Sequence, residues 1–183
     1  MSKIMPHVAR RLAFPGLVLC VICLCGCTSL VNTLAGVDSL DAPLLDEGWE
    51  IGYGGKTPDQ MLVEYVRPGQ TVENWTEMVS VQAFNKGFNP VSIEDELVRV
   101  RNSLDELCPG STLALIRQMP DGVIYESRSV NCQGSGEHAL VRILDGSYSR
   151  FVVHYAVRGA MTMTPARRAE WIEGLTTFRI LSP

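Results

Sequence analysis

The chain contains 183 residues, of which 16 are basic and 20 are acidic, so its formal net charge at pH 7 is −4. An acidic protein of this kind is not expected to bind nucleic acid or to adhere electrostatically to anionic lipid headgroups. The length is sufficient for one domain with its own hydrophobic core.

The first 26 residues have the pattern of a bacterial export signal. Lys3, Arg10 and Arg11 form a basic start, residues 12–25 are almost entirely apolar, and Gly26 is the small residue before a cleavage point. An uncleaved transmembrane anchor is the alternative, but 14 apolar residues are fewer than the roughly 20 that a membrane-spanning helix needs. The pattern therefore favours a cleaved signal.

This segment ends in Leu24-Cys25-Gly26-Cys27, which resembles the lipobox of bacterial lipoproteins. The resemblance implies that residues 1–26 are removed and that acyl chains on Cys27 hold the protein to the membrane. Thr28 stands where an inner-membrane retention signal carries Asp, which implies an outer-membrane location facing the periplasm. Cleavage removes three basic residues, so the mature charge becomes 13 minus 20, or −7.

The region after the signal divides into a linker and a folded domain. Residues 27–48 show no sustained hydrophobic period and are rich in Gly, Asp, Ser and Pro, so we predict a lipidated N-terminus followed by a tether. The periplasmic domain is predicted to span 49–183. Its first strands are predicted at 50–53, 61–66 and 74–84, where the sequence has β-branched and aromatic residues.

A helix is predicted next, from an N-cap at Ser92 to about Leu107. Cys108-Pro109-Gly110 marks its end. Its apolar residues recur at helical spacing and form one stripe, comprising Ile93, Leu97, Val100, Leu104 and Leu107.

The rest of the chain predicts a meander followed by a second helix. Turn-forming sequences separate four predicted strands, which lie at 112–118, 123–130, 138–144 and 150–157. Thr164-Pro165 has the N-cap and first-turn residues of a helix, and 178–181 is predicted as a short strand or tail.

This order of elements predicts an α+β domain, in which an antiparallel sheet of about six to seven strands is packed by two helices. The element order resembles that of exported PsbP/Mog1-like domains. That resemblance implies the same class of fold and carries no motif for a particular chemistry.

The positions of the cysteines indicate different roles for them. Cys27 is assigned to the lipid, and Cys108 and Cys132 remain in the mature chain. An even pair in an oxidising compartment predicts a disulfide. Two buried free thiols or a redox pair are the alternatives, and neither cysteine lies in a C-x-x-C motif.

Candidate catalytic and metal-binding residues are few. His138 and His154 remain after processing, and Glu137 and Ser135 lie close to His138 in sequence. Neighbouring residues on a strand point to opposite faces, so this sequence proximity does not predict a catalytic triad. No His or Cys pair has the spacing of metal ligands. We therefore predict no cofactor and no metal.

A group of aromatic residues in the first third of the domain offers a candidate ligand groove, comprising Trp49, Tyr53, Tyr65 and Trp75. Ordinary core packing is the favoured alternative for them. The sequence therefore favours a non-catalytic binding or assembly component that recognises an envelope protein or a wall or lipid component. A periplasmic hydrolase or redox enzyme with a site near His138 or His154 is the alternative.

Overall fold

A computed structural model describes residues 38–45, 48–88, 90–132, 135–159 and 162–181. The predicted signal segment, the lipobox-like motif and Cys27 lie outside the described residues. Within the described ranges, no helix is long and apolar enough to span a membrane.

Nine strands, two α-helices and one 3₁₀ turn are present in these described ranges. The helices are α1 (Ile93–Leu107) and α2 (Pro165–Leu175), and the 3₁₀ turn is Pro43–Leu45. The strands are β1 (Ser39–Asp41), β2 (Glu50–Lys56), β3 (Gln60–Val66), β4 (Glu77–Asn85), β5 (Thr112–Met119), β6 (Gly122–Cys132), β7 (Ser135–Asp145), β8 (Ser149–Arg158) and β9 (Arg179–Leu181).

Seven strands form one antiparallel sheet in the order β2-β3-β4-β8-β7-β6-β5. It consists of two meanders, β2 to β4 and β5 to β8, which join where β4 pairs with β8. The predicted α+β class with six to seven antiparallel strands and two helices is thus confirmed. β1 and β9 form a separate two-stranded ribbon.

The two helices cover opposite faces of the sheet. On one face, Trp171, Ile172 and Leu175 of α2 pack into the larger hydrophobic cluster. On the other face, the stripe from Ile93 to Val100 of α1 packs against a smaller cluster on β6, β7 and β8. The sheet therefore has apolar residues on both faces, and α1 covers its face less completely than α2.

Helix α1 begins at the residue that the sequence predicts, but the predicted apolar stripe is exposed at its C-terminal end. The Asp95 N–H donates to Ser92 Oγ at 3.0 Å, which caps the first turn. No residue of the helix is buried, and Leu107, the last member of the predicted stripe, is 60% exposed. The helix end is instead held by a Cys108–Cys132 disulfide with a Cα–Cα distance of 4.7 Å.

The predicted tether over 27–48 is wrong for residues 38–45. β1 pairs with β9, with Leu40 opposite Ile180, and the Leu40 side chain is buried in the core. Asp38 accepts hydrogen bonds from the backbone N–H groups of Tyr148 and Ser149, at 2.9 Å each. The folded domain therefore includes residues well before Trp49.

A candidate binding trough beside the first helix

A cavity of about 280 Å³ lies between α1 and the uncovered part of the sheet. Half of its lining is apolar, from Leu62, Phe84, Val100, Val141, Ile143 and Val152. The other half carries polar groups, from Glu64, Ser80, Gln82, Glu96, Tyr125 and His154.

The register of the sheet builds the polar floor. Glu64 lies opposite Ser80, Ser80 opposite His154, and His154 opposite Val141, so one row of side chains crosses β3, β4, β8 and β7. Because side chains alternate between faces, the residues on either side of each of these point into the α2 core. Glu64, Ser80 and His154 therefore lie together on the α1 face, whereas His138 and Arg142 of β7 lie on the α2 face.

A second hollow of about 290 Å³ continues toward the free edge of β2. It shares Leu62 and Gln82 with the first cavity. Tyr53 and Lys56 of β2 line its outer end. We call the two hollows together the trough.

A carboxylate–histidine pair borders the trough. The carboxylate of Glu137 lies 3.3 Å from His154 Nε2, and the small pair Ala139 and Ala156 stands between them on β7 and β8. Burial of Glu137 raises its pKa, but the hydrogen bond and charge of His154 outweigh burial, so the net pKa is below its ordinary range. Ser80 lies opposite His154, yet no hydrogen bond joins their side chains in the described part of the chain.

His138 points to the opposite face and is part of a structural network. Its Nδ1 accepts from the Met163 N–H at 3.0 Å, and its Nε2 lies 2.6 Å from Glu126. Nδ1 as acceptor places the ring proton on Nε2, which then donates to the carboxylate. Both ring nitrogens are thus engaged in holding the segment before α2, and neither faces a hydroxyl or thiol nucleophile.

Glu126 is the centre of this network. Arg168 of α2 donates to both of its carboxylate oxygens at 2.9 Å, and Arg128 donates to it at 3.0 Å. The hydrogen bonds from Arg168 are the largest influence, and with those from His138 and Arg128 they lower the pKa of Glu126 to about 2. The network fixes α2 to β6 and β7.

A second network holds α2 near the strand β4. Glu77 accepts from Arg67 and Arg167 at 2.7 Å each. Burial opposes ionisation of Glu77, but the two guanidinium groups outweigh it and lower its pKa. Burial also raises the pKa of the neighbouring Tyr155 to about 12.

The four aromatic residues do not line a common groove, and three of them pack in the cores as the favoured alternative predicted. Trp49 packs edge-on against Tyr155 and Trp171 beside the α2 core, and Tyr65 is buried in that core. Trp75 packs on the α1 face. A register shift in β2 between Ile51 and Tyr53 separates Tyr53 from Tyr65, because Tyr65 lies opposite Ile51 while Tyr53 lies opposite Glu64. Only Tyr53 lines the trough.

No group of three or more His, Cys, Asp or Glu side chains is placed to hold a metal ion in the part of the chain that the structure describes. Met163 is buried in the α2 core. Its backbone N–H donates to His138 Nδ1.

The trough residues Glu64 and Glu96 were not singled out from the sequence. Glu64 is flanked by the buried Val63 and Tyr65, so it is the polar member of an alternating strand. Glu96 lies one position before the apolar stripe residue Leu97. Alternation indicates a polar face for β3, but only the tertiary packing of α1 brings the two carboxylates to one cavity.

Comparison with known proteins identifies no family. No protein-family profile matches the chain, and no curated protein matches it. A crystal structure of a protein from Bacteroides thetaiotaomicron is similar to it, with 14% sequence identity and a TM-score of 0.43. The match covers 80% of this chain and 45% of that protein, so the chain spans less than half of its length.

Proposed function

We propose that this protein is an exported lipoprotein, anchored through Cys27 to the outer membrane, and that its domain is a non-catalytic binding or assembly component facing the periplasm. The trough would be its binding site. The trough is the observation that supports the binding role, since it is a cavity beside α1 that has both apolar and polar lining residues.

The shape and lining of the trough fit a recognition site. Ligand cavities in proteins are mainly apolar with a few placed polar groups, and they start at about 300 Å³. The inner cavity, at about 280 Å³, has this mixed lining. One wall is α1, which contributes no buried residue to the core.

Photo-crosslinking in living cells tests the binding role. A photoreactive amino acid in place of Gln82, in the trough, is expected to give an adduct with an envelope partner. The control position is Gln118, which is exposed on the edge strand β5. Adducts of the same size and yield from both positions, or none from either, would contradict a binding role for the trough.

The lipid anchor is tested separately. Cys27→Ala is expected to leave an unprocessed precursor, whereas the neighbouring Cys25→Ala is expected to be processed. Labelling with radioactive palmitate checks both variants. Normal processing and labelling of Cys27→Ala would refute the anchor while leaving the binding role of the domain open.

A hydrolase with a site at His154 is the second candidate function. It is favoured by the contact between Glu137 and His154 and by the position of Ser80 opposite His154. A histidine oriented by a carboxylate is the arrangement that activates a serine hydroxyl as a nucleophile. Hydrolysis of p-nitrophenyl acetate that is lost in both Ser80→Ala and His154→Gln would support it, and hydrolysis unchanged by both would exclude these residues.

A further inference from the structure

The inner cavity of the trough carries negative charge from two walls. Glu64 reaches it from the sheet and Glu96 from α1, and both side chains are half-buried. Neither carboxylate is in an ion pair among the described residues. Tyr125 also lines the cavity. Burial raises its pKa most, and the negative charge of Glu96 raises it further.

The cavity does not supply matching positive charge. His154 is the basic side chain in its described lining, and it is already paired with Glu137 at 3.3 Å. Lys56 lines the outer hollow and not the inner cavity. A bound cation would therefore meet two carboxylates without first displacing an internal partner.

The remaining walls fit an apolar body attached to that cation. Leu62, Phe84 and Val152 lie along the same cavity as the carboxylates. An alkyl chain there would leave water, and a cationic head between Glu64 and Glu96 would gain charge-assisted hydrogen bonds.

From this arrangement we infer that the trough binds an organic cation, an ammonium or guanidinium group carried on an apolar chain. The inference rests on the proposed binding function and names its class of ligand. A free amine and a lysine side chain of a partner protein present the same chemistry.

Three probes with one four-carbon chain test the inference: butylamine, butyrate and butanol. The full chain in detergent is titrated with each, and NMR follows the methyl groups of Ile143 and Val152, which line the cavity. Butylamine is expected to shift these methyl signals with an affinity about tenfold above that of butyrate. A capped Ala-Lys-Ala peptide in the same titration distinguishes a side chain from a free amine as the source.

Matched variants assign the preference to the two carboxylates. The double variant Glu64→Gln with Glu96→Gln is expected to reduce butylamine affinity to that of butanol. Glu94→Gln, on the exposed side of α1, is expected to change nothing. Equal binding of all three probes would overturn the cationic preference and leave the trough as a site, whereas no binding of any probe or of the peptide would overturn both.

Discussion

The protein should lose stability in acid because the carboxylate of Glu126 becomes protonated there, and Glu126→Gln should remove this part of the pH dependence of stability. Its side chain is 9% exposed and accepts hydrogen bonds from Arg168, Arg128 and His138. Since the folded state holds its pKa at about 2 instead of the usual 4.5, the stabilisation is complete above pH 4.5 and is lost as the pH falls toward 2.

The size of the effect follows from that pKa and from the exposure of the partners. Full conversion of the lowered pKa gives about 3 kcal/mol as an upper value. Arg168 and Arg128 are 33% and 48% exposed, so solvent screens their charges. We therefore expect a contribution of about 1–2 kcal/mol to the free energy of unfolding at pH 7.

Urea denaturation at pH 7 and pH 3, followed by tryptophan fluorescence, measures this contribution. Glu126→Gln should unfold about 1–2 kcal/mol more easily than wild type at pH 7, and the difference should shrink at pH 3. Glu106→Gln, on the exposed surface of α1, is the matched control. The reasoning fails if the difference between wild type and Glu126→Gln is the same at both pH values.

Three further predictions concern the disulfide and the sheet. Cys108→Ser should lower the free energy of unfolding by about 3 kcal/mol, because the disulfide closes a loop with a sequence separation of 24. Denaturation with and without reductant checks this: reductant should lower the stability of wild type and leave that of the variant unchanged. Gly122→Ala should lower the free energy of unfolding by about 3 kcal/mol or more, since Gly122 has φ +145° and a Cβ there would overlap the Ile143 carbonyl oxygen. Gly69 has open space around it, so the control Gly69→Ala should lower the free energy of unfolding by only about 1–2 kcal/mol. Equal urea midpoints for the two variants would contradict this account. Arg142→Leu should leave the stability unchanged or raise it by about 1 kcal/mol. Arg142 is fully buried, and its Nε and one terminal nitrogen have no hydrogen-bond partner among the described residues, while its ion-pair partner Asp121 is 44% exposed and would stay solvated after the substitution. A large drop in thermal midpoint would show that the ion pair with Asp121 outweighs the cost of burying Arg142.

The local features of the fold were predictable from the sequence. Ser92 and Thr164 cap the two helices as their residue types indicate. The strands of the meander begin and end within three residues of the predicted positions, because turn sequences separate them. These features depend on neighbours along the chain, which a sequence displays directly.

The features that need distant partners were not predictable. β1 has three residues and becomes a strand only because β9 pairs with it. The choice between the two faces of β3, which separates Glu64 from Tyr65, depends on where α1 and α2 pack. Alternation tells which residues share a face, but not which helix covers it.

The pairing of β1 with β9 also fixes how far the domain can stand from a membrane. If Cys27 carries the lipid, residues 28–37 connect it to Asp38, which is held in the domain, and this is about half of the length expected when the domain was taken to begin at Trp49. Fully extended, that connection spans at most about 40 Å. The domain would then stay close to the bilayer, and it could bind only a partner that lies near the membrane surface.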